Sequence, residues 1–322
     1  MAVVDMPLEE LKKYNGKNPK PADFDEFWDR MLEKMRNIDS NVEITKSDFS
    51  TNFADCFDMY FTGIGGARIY SKLVKPKKIE GKCPALLNFH GYACNSGDWC
   101  NMLAYAANGF VVAAMDCRGQ GGLSEDIGGV KGNTHTGHII RGLDDDDPEK
   151  LLFVQIFLDT AQLAKIIMET DEVDENRVAA KGGSQGGGLT LACAALEPRV
   201  KKAAVTFPFL SDYKKVWELD FGTGAYIELK SYFRRFDPLH EREDEIFTKL
   251  GYIDVHHLAG RIKADVLMAT SYRDDICPPS TQFAAYNKIK SPKKMVLYKD
   301  YAHENLPGME DKNFEFISEL NN

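Results

Sequence analysis

From Ala85 onward the chain alternates short, unbroken apolar runs with longer helical stretches, and few folds accept that pattern. Ala85-Leu86-Leu87-Asn88-Phe89 and Phe110-Val111-Val112-Ala113-Ala114-Met115 read as strands, and the helical stretch Trp99 to Asn108 between them stops at Gly109. A strand that is apolar on both faces needs cover on both sides, which is the condition of a parallel sheet with helices above and below. The alternation resumes with a helix predicted at Leu151 to Glu169, a strand at Arg177 to Lys181, a helix at Gln185 to Leu196 and a strand at Ala203 to Phe207. After an interruption come a strand at Asp265 to Thr270, a helix at Pro279 to Ile289, a strand at Lys294 to Tyr298 and a last helix near Asp311 to Leu320. The expectation is an α/β protein built on a mostly parallel, doubly wound sheet.

The first 80 residues have a different texture. Phe24, Phe27, Trp28, Met31, Leu32 and Met35 recur at helical spacing and form one apolar face after the Pro19/Pro21 breaker. Val42 to Lys46, Cys56 to Thr62 and Arg68 to Val74 alternate like antiparallel strands with one wet face, the last two joined by a Gly63-Ile64-Gly65-Gly66 turn. A length of 322 residues sits between one large domain and two small ones. One sheet carries most of the alternation, so the whole chain, 1–322, is read as one domain with an N-terminal extension over 1–80. Two further pieces enlarge it: a glycine-rich loop from Arg118 to Asp147 ending in four aspartates, and a helical insertion over 210–257.

A net charge of −9 offers no basic surface for nucleic acid or anionic lipid. No apolar run approaches the roughly 18 residues of a spanning helix, and the first ten residues lack a signal-peptide pattern. Seven cysteines without a C-x-x-C pair suggest reduced thiols. The expected setting is therefore cytoplasmic, with no nucleic-acid or membrane partner.

The strand ending at Lys181 runs into Gly182-Gly183-Ser184-Gln185-Gly186, and an alanine- and leucine-rich helix starts at once. G-x-S-x-G alone is weak, but between strand and helix it forms a nucleophile elbow, a sharp turn that lifts the serine hydroxyl above the sheet. The helix N-terminus beneath the serine favours developing negative charge. A serine needs a base to take its proton, and the base needs a carboxylate, in the chain order Ser, acid, His. His303 is the only one of seven histidines that follows the last predicted strand. The acid lies in the loop after Val266 to Thr270, where Asp274 and Asp275 compete. The oxyanion donors are expected at the backbone N–H of Gln185 and of Tyr92, in the loop His90-Gly91-Tyr92. His90 invites a metal reading with His135 and His138, but no carboxylate or cysteine spacing supports a site, so neither metal nor cofactor is expected.

These residues resemble carbohydrate esterase family 7, the acetyl xylan esterases and cephalosporin C deacetylases. The shared elements are Arg118-Gly119-Gln120, Gly183-Ser184-Gln185-Gly186, Asp274 with Pro278-Pro279, and His303-Glu304, supported by segments such as Phe207-Pro208-Phe209-Leu210-Ser211-Asp212. The resemblance implies an α/β-hydrolase fold, release of acetyl groups from sugar hydroxyls and from cephalosporin C, and a homo-oligomer, a ring-like hexamer. It also selects Asp274 as the acid, four positions before the first of the paired prolines. Within that frame Tyr92, Pro208 and Phe209 are expected to wall a small acyl pocket. Arg118 is expected to brace its loop against an acidic residue, and Cys277 to be a buried core thiol. The competing readings are a broader carboxylesterase or peptidase on the same fold, and a non-catalytic binding protein.

Overall fold

The computed structural model describes residues 4–126, 134–220 and 224–321. Part of the glycine-rich loop, 127–133, and three residues of the insertion, 221–223, lie outside them. A single sheet of nine strands runs in the order β1-β2-β3-β5-β4-β6-β7-β8-β9. Its strands are β1 (Glu43–Ser50), β2 (Ala54–Thr62), β3 (Arg68–Pro76), β4 (Cys83–Phe89), β5 (Val111–Met115), β6 (Val173–Gly183), β7 (Lys202–Thr206), β8 (Asp265–Ser271) and β9 (Lys293–Tyr298). The three N-terminal strands pair antiparallel and join the rest through β3 and β5, whereas β4 to β9 are parallel. The extension thus lengthens the main sheet.

Side chains alternate across the sheet, and the core divides accordingly. Ala85, Leu87, Phe89, Ala113 and Met115 face one side, where α2 (Phe24–Arg36), α4 (Leu152–Met168) and α5 (Gln185–Leu196) pack. Leu86, Val112 and Ala114 face the other, against α3 (Leu103–Ala107) and the chain's last turns. All twelve residues of α5 are buried, which explains why its sequence is apolar all round. The last helix, α11 (Met309–Ser318), crosses that second face, and α10 (Pro279–Lys288) precedes β9.

The insertion between β7 and β8 folds into α6 (Tyr213–Glu218), α7 (Ile227–Phe236), α8 (Glu243–Leu250) and α9 (Val255–Leu258). The N-terminal segment, with the short helix α1 (Leu8–Leu11), straps onto it. Asp212 takes the backbone N–H groups of Lys17 and Asn18 on one oxygen and the Tyr14 hydroxyl on the other. The arrangement is the α/β-hydrolase fold, with β6 near the middle of the sheet and the insertion following β7. Among the described residues no helix is long and apolar enough to cross a membrane.

Candidate active site

β6 ends at Gly183, and α5 begins at Gln185, so the chain reverses direction within one residue. That residue is Ser184, whose φ of 56° and ψ of −120° lie where side-chain-bearing residues rarely sit. The turn is held by three backbone bonds: Ser184 N–H donates to Thr206 O, and the N–H groups of Gly188 and Phe209 both donate to Ser184 O. It closes only because its flanks are small. A Cβ on Gly186 would stand 2.1 Å from the carbonyl oxygen of Phe89, a backbone atom that cannot step aside.

The carboxyl edge of the sheet brings the other groups to the serine. His303 Nε2 lies 3.0 Å from Ser184 Oγ, and its Nδ1 lies 2.9 Å from Asp274 Oδ2. Asp274 is fully buried while His303 keeps 20% of its side chain exposed, so the ring joins an interior carboxyl group to the partly buried hydroxyl of the elbow. Of the two adjacent aspartates, Asp274 reaches the ring. Its Oδ1 accepts the N–H groups of Ile276 and Cys277, which fix the carboxylate, and Gln282 adds a bond to Oδ2. The His303 ring also rests on Phe207, with centroids 4.4 Å apart.

Cys277 lies beneath this chain and touches Ser184. Burial, then the Asp274 charge, pushes its thiol well above the usual cysteine range. A thiol held protonated is inert, which leaves the partly buried Ser184 hydroxyl as the group that the His303 ring faces.

The loop after β4 packs directly over the elbow. His90 latches it: Nδ1 donates to Gly91 O at 2.7 Å, and Nε2 accepts the backbone N–H of Cys117 at 2.9 Å. Burial lowers the pKa of His90, in keeping with a neutral ring. Gln120 and Gln185 exchange side-chain amide bonds of 2.8 and 3.0 Å, and Gln120 Oε1 also accepts the N–H of Ala93 at 2.9 Å. One amide pair therefore ties the residue after the serine to the residue after Tyr92. Gly119 supplies the turn before Gln120 with a φ of 61°. Arg118 points the other way, into a two-pronged ion pair with Asp159 on α4.

Among the described residues no carbonyl or side chain accepts the backbone N–H of Tyr92 or of Gln185. Both are free to receive a ligand oxygen. Pro208 and Phe209 are buried behind them, Phe209 meeting the Tyr92 ring edge-on with centroids 5.7 Å apart.

Among the described residues two groups bring three potential metal-ligand atoms within 4.8 Å: Asp274 with Cys277 and His303, and Asp254 with His256 and His257. Internal hydrogen bonds account for both clusters. His303 spans Asp274 and Ser184, His256 bonds Asp254, and His257 Nε2 faces the carbonyl oxygens of Asn18 and Pro19. His90 has both ring nitrogens engaged and is no ligand for an ion shared with His135 and His138.

Sequence reading left three participants unnamed. Asp159, Glu228 and Gln185's side chain act over separations of 41, 136 and 65 residues, and no local pattern marks them.

Comparison with known proteins gives a consistent answer. A family model described as acetyl xylan esterase (AXE1) matches residues 1–320. Acetyl esterase Axe7A from Xylanibacter ruminicola is 32% identical over 296 residues, which is 89% of this chain. The chain spans 64% of the length of that curated relative. The crystal structure of acetyl xylan esterase 1 from Thermoanaerobacterium sp. JW/SL YS485 matches with a TM-score of 0.95 at 60% identity, covering 99% of this chain and 100% of that one. Acetyl xylan esterase from Paenibacillus sp. R4 matches with a TM-score of 0.91 at 36% identity, covering 98% of this chain and 99% of that one.

Proposed function

The chain belongs to the acetyl xylan esterase family, and from that premise we propose that it is a serine esterase that removes acetyl groups from acetylated xylo-oligosaccharides and from cephalosporin C. The observation that carries the reading is the hydrogen-bonded chain from Asp274 through His303 to Ser184, with the serine on a strained elbow. Asp274 holds the imidazole with its proton on Nδ1 and its lone pair toward Ser184. His303 takes the serine proton as Oγ attacks the acetyl carbonyl. The carbonyl oxygen becomes an oxyanion and accepts the N–H groups of Tyr92 and Gln185 at the positive end of α5. Collapse of the intermediate passes the proton from His303 to the sugar oxygen and leaves an acetyl group on Ser184. Water, deprotonated by the same ring, attacks that ester, and acetate departs as the serine recovers its proton.

Tyr92, backed by Pro208 and Phe209, forms the wall that limits the acyl group to a small one. Acetate release from acetylated xylobiose, polymeric acetylxylan and cephalosporin C tests the substrate class, with butyryl and aminoacyl esters as the contrast. Ser184→Ala must abolish it; a variant retaining substantial hydrolysis overturns the assignment. Equal or faster turnover of butyryl or aminoacyl esters favours the broader carboxylesterase or peptidase.

A homo-oligomer, taken to be a hexamer, is part of the same proposal. It is supported by the edge strand β1 and its flanks, where Val42, Ile44, Phe49 and Phe53 are 39% to 44% exposed. Light scattering on the purified protein checks it, and a monomer at assay concentration overturns it.

A further inference from the structure

Glu228 is a carboxylate that the proposed chemistry does not use, yet it is buried to 4% exposure in the first turn of α7, within the insertion. Burying a charge is costly unless several donors meet it. Here they converge from two other parts of the chain. Oε1 accepts the hydroxyl of Tyr92, and Oε2 accepts the backbone N–H of Ile139 at 2.9 Å. The N–H groups of Gly137 and His138 also favour its charged form, although burial still raises its pKa. The Tyr92 hydroxyl in turn accepts the N–H of His138 at 3.2 Å, and the His138 ring lies against the Tyr92 ring with centroids 5.0 Å apart.

Beyond the His90 latch on Gly91, the loop carrying Tyr92 is pinned at two further points. On the backbone side, Ala93 N–H is held by Gln120. On the side-chain side, the phenol is held by Glu228. The Tyr92 N–H branches from the Cα that joins those two anchors, and the carbonyl of its own peptide, Gly91 O, accepts from His90 Nδ1, so its direction is set from three sides. We propose that Glu228 is a positioning residue: by fixing the Tyr92 phenol it aims the Tyr92 backbone N–H at the oxyanion, so the helical insertion completes the active site. The inference rests on the reading of Tyr92 as an oxyanion donor.

A misaimed donor weakens the transition state more than the bound ester, so the loss falls on kcat. Full removal of one such donor costs about 10²–10³ in kcat, and displacing it costs less, about tenfold. Glu228→Gln keeps an acceptor and a similar volume; Glu228→Ala removes both. The expected result on p-nitrophenyl acetate is a kcat about tenfold lower for Glu228→Gln and lower again for Glu228→Ala, with KM changed by less than about threefold. Affinity for a small alkylboronic acid, which forms a tetrahedral adduct on the serine, should fall in proportion to kcat.

Tyr92→Phe deletes the partner hydroxyl and gives the second measurement. If Glu228 acts through the phenol, the double variant Tyr92→Phe/Glu228→Gln is no slower than the slower single variant. The proposal is overturned if Glu228→Gln, melting like wild type, keeps wild-type kcat, or if the two single losses multiply in the double variant. It is also overturned if boronate affinity is unchanged while kcat falls. Failure of the serine-esterase reading, on which the role of Tyr92 in turn depends, has a different signature, namely hydrolysis or boronate capture that persists in Ser184→Ala.

Discussion

Arg118 and Asp159 form a two-pronged ion pair with neither side chain exposed: Nε reaches Oδ2 at 2.5 Å and Nη2 reaches Oδ1 at 2.7 Å. Burial raises the pKa of Asp159 and the Arg118 charge opposes it, so the carboxylate depends on the guanidinium beside it for its ionised form. The pair ties the loop after β5 to the middle of α4, and the 62–68 hairpin closes over it. A Cβ on Gly63 would come within 2.4 Å of Asp159 Oδ1, which makes that turn part of the same construction. Removing one partner strands a buried charge, so Arg118→Met is expected to destabilise the fold by about 3–5 kcal/mol. Replacing both with apolar residues, as in Arg118→Met/Asp159→Leu, restores most of that loss. Urea unfolding of the three proteins measures the difference, and a double variant as unstable as the single would contradict the account.

The elbow makes a steric prediction. Gly186 faces the carbonyl oxygen of Phe89, and the first turn of α5 repeats the close approach at Gly187 and Gly188, against Thr206 O and Phe209 O. Gly186→Ala must push α5 away from the end of β4, at a cost of about 1–3 kcal/mol for the overpacking. Because β4 leads into the Tyr92 loop, the displacement also separates the two proposed oxyanion donors. The expected variant has a lowered Tm and a kcat that falls further than its KM rises. A variant with wild-type Tm and kcat would show that the helix can shift without consequence.

Acid should loosen the N-terminal strap before it unfolds the sheet. His257 Nε2 lies 3.1 and 3.2 Å from the carbonyl oxygens of Asn18 and Pro19. Burial above all lowers its pKa, from the ordinary 6.5 to about 4, with Asp254 opposing and His256 and Lys288 assisting. A depressed folded-state pKa means that the neutral ring is the stabilised one. Its contribution is complete above pH 6.5 and is lost progressively as pH falls toward about 4. Wild type should therefore lose Tm more steeply across that window than His257→Gln, and its first 20 residues should become open to proteolysis. Parallel Tm profiles for the two proteins would remove His257 from the explanation.

How much of this was legible in the sequence follows from the range of each interaction. The α5 helix was bounded at Gln185 and Leu196 as found, because glycines and an all-apolar run mark both its start and its surroundings. Each of the nine strands among the described residues carries its own signal, since period-two and continuous apolar patterns are local. β6 was cut short: its first residues, Val173 to Asn176, are polar enough to read as a turn, yet Val173 pairs with Cys83. The pattern from Trp99 to Asn108 predicts one helix, but its first turn is a 3-10 segment over Trp99–Met102 and only Leu103–Ala107 is α-helical. Long-range partners stayed hidden for a different reason. Glu228 looks like any surface acid at a helix start, and only the tertiary fold brings it under Tyr92.

The choice between Asp274 and Asp275 shows both sides of that limit and yields the most direct test of the site. Position alone gives Asp274 only a slight preference and the family resemblance selects it, but adjacent residues in a loop point in different directions, and which of them reaches the ring is decided by tertiary geometry. The structure separates them by backbone geometry: Asp274 folds its Oδ1 back onto the N–H groups of Ile276 and Cys277, at 3.0 and 2.7 Å, which leaves Oδ2 for His303. Asp275 is exposed. Asp274→Asn keeps the shape but can offer His303 an amide N–H, which favours the tautomer with its proton on Nε2, the nitrogen that must accept from Ser184. The expected loss in kcat is large, on the order of 10⁴, with little change in Tm or KM. Asp275→Asn makes the same chemical change one residue on and should leave kcat near wild type. Fluorophosphonate labelling of Ser184 provides an independent reading, slow in Asp274→Asn and normal in Asp275→Asn. The reverse order of the two variants would assign the acid to Asp275 and dissolve the hydrogen-bonded chain on which the mechanism depends.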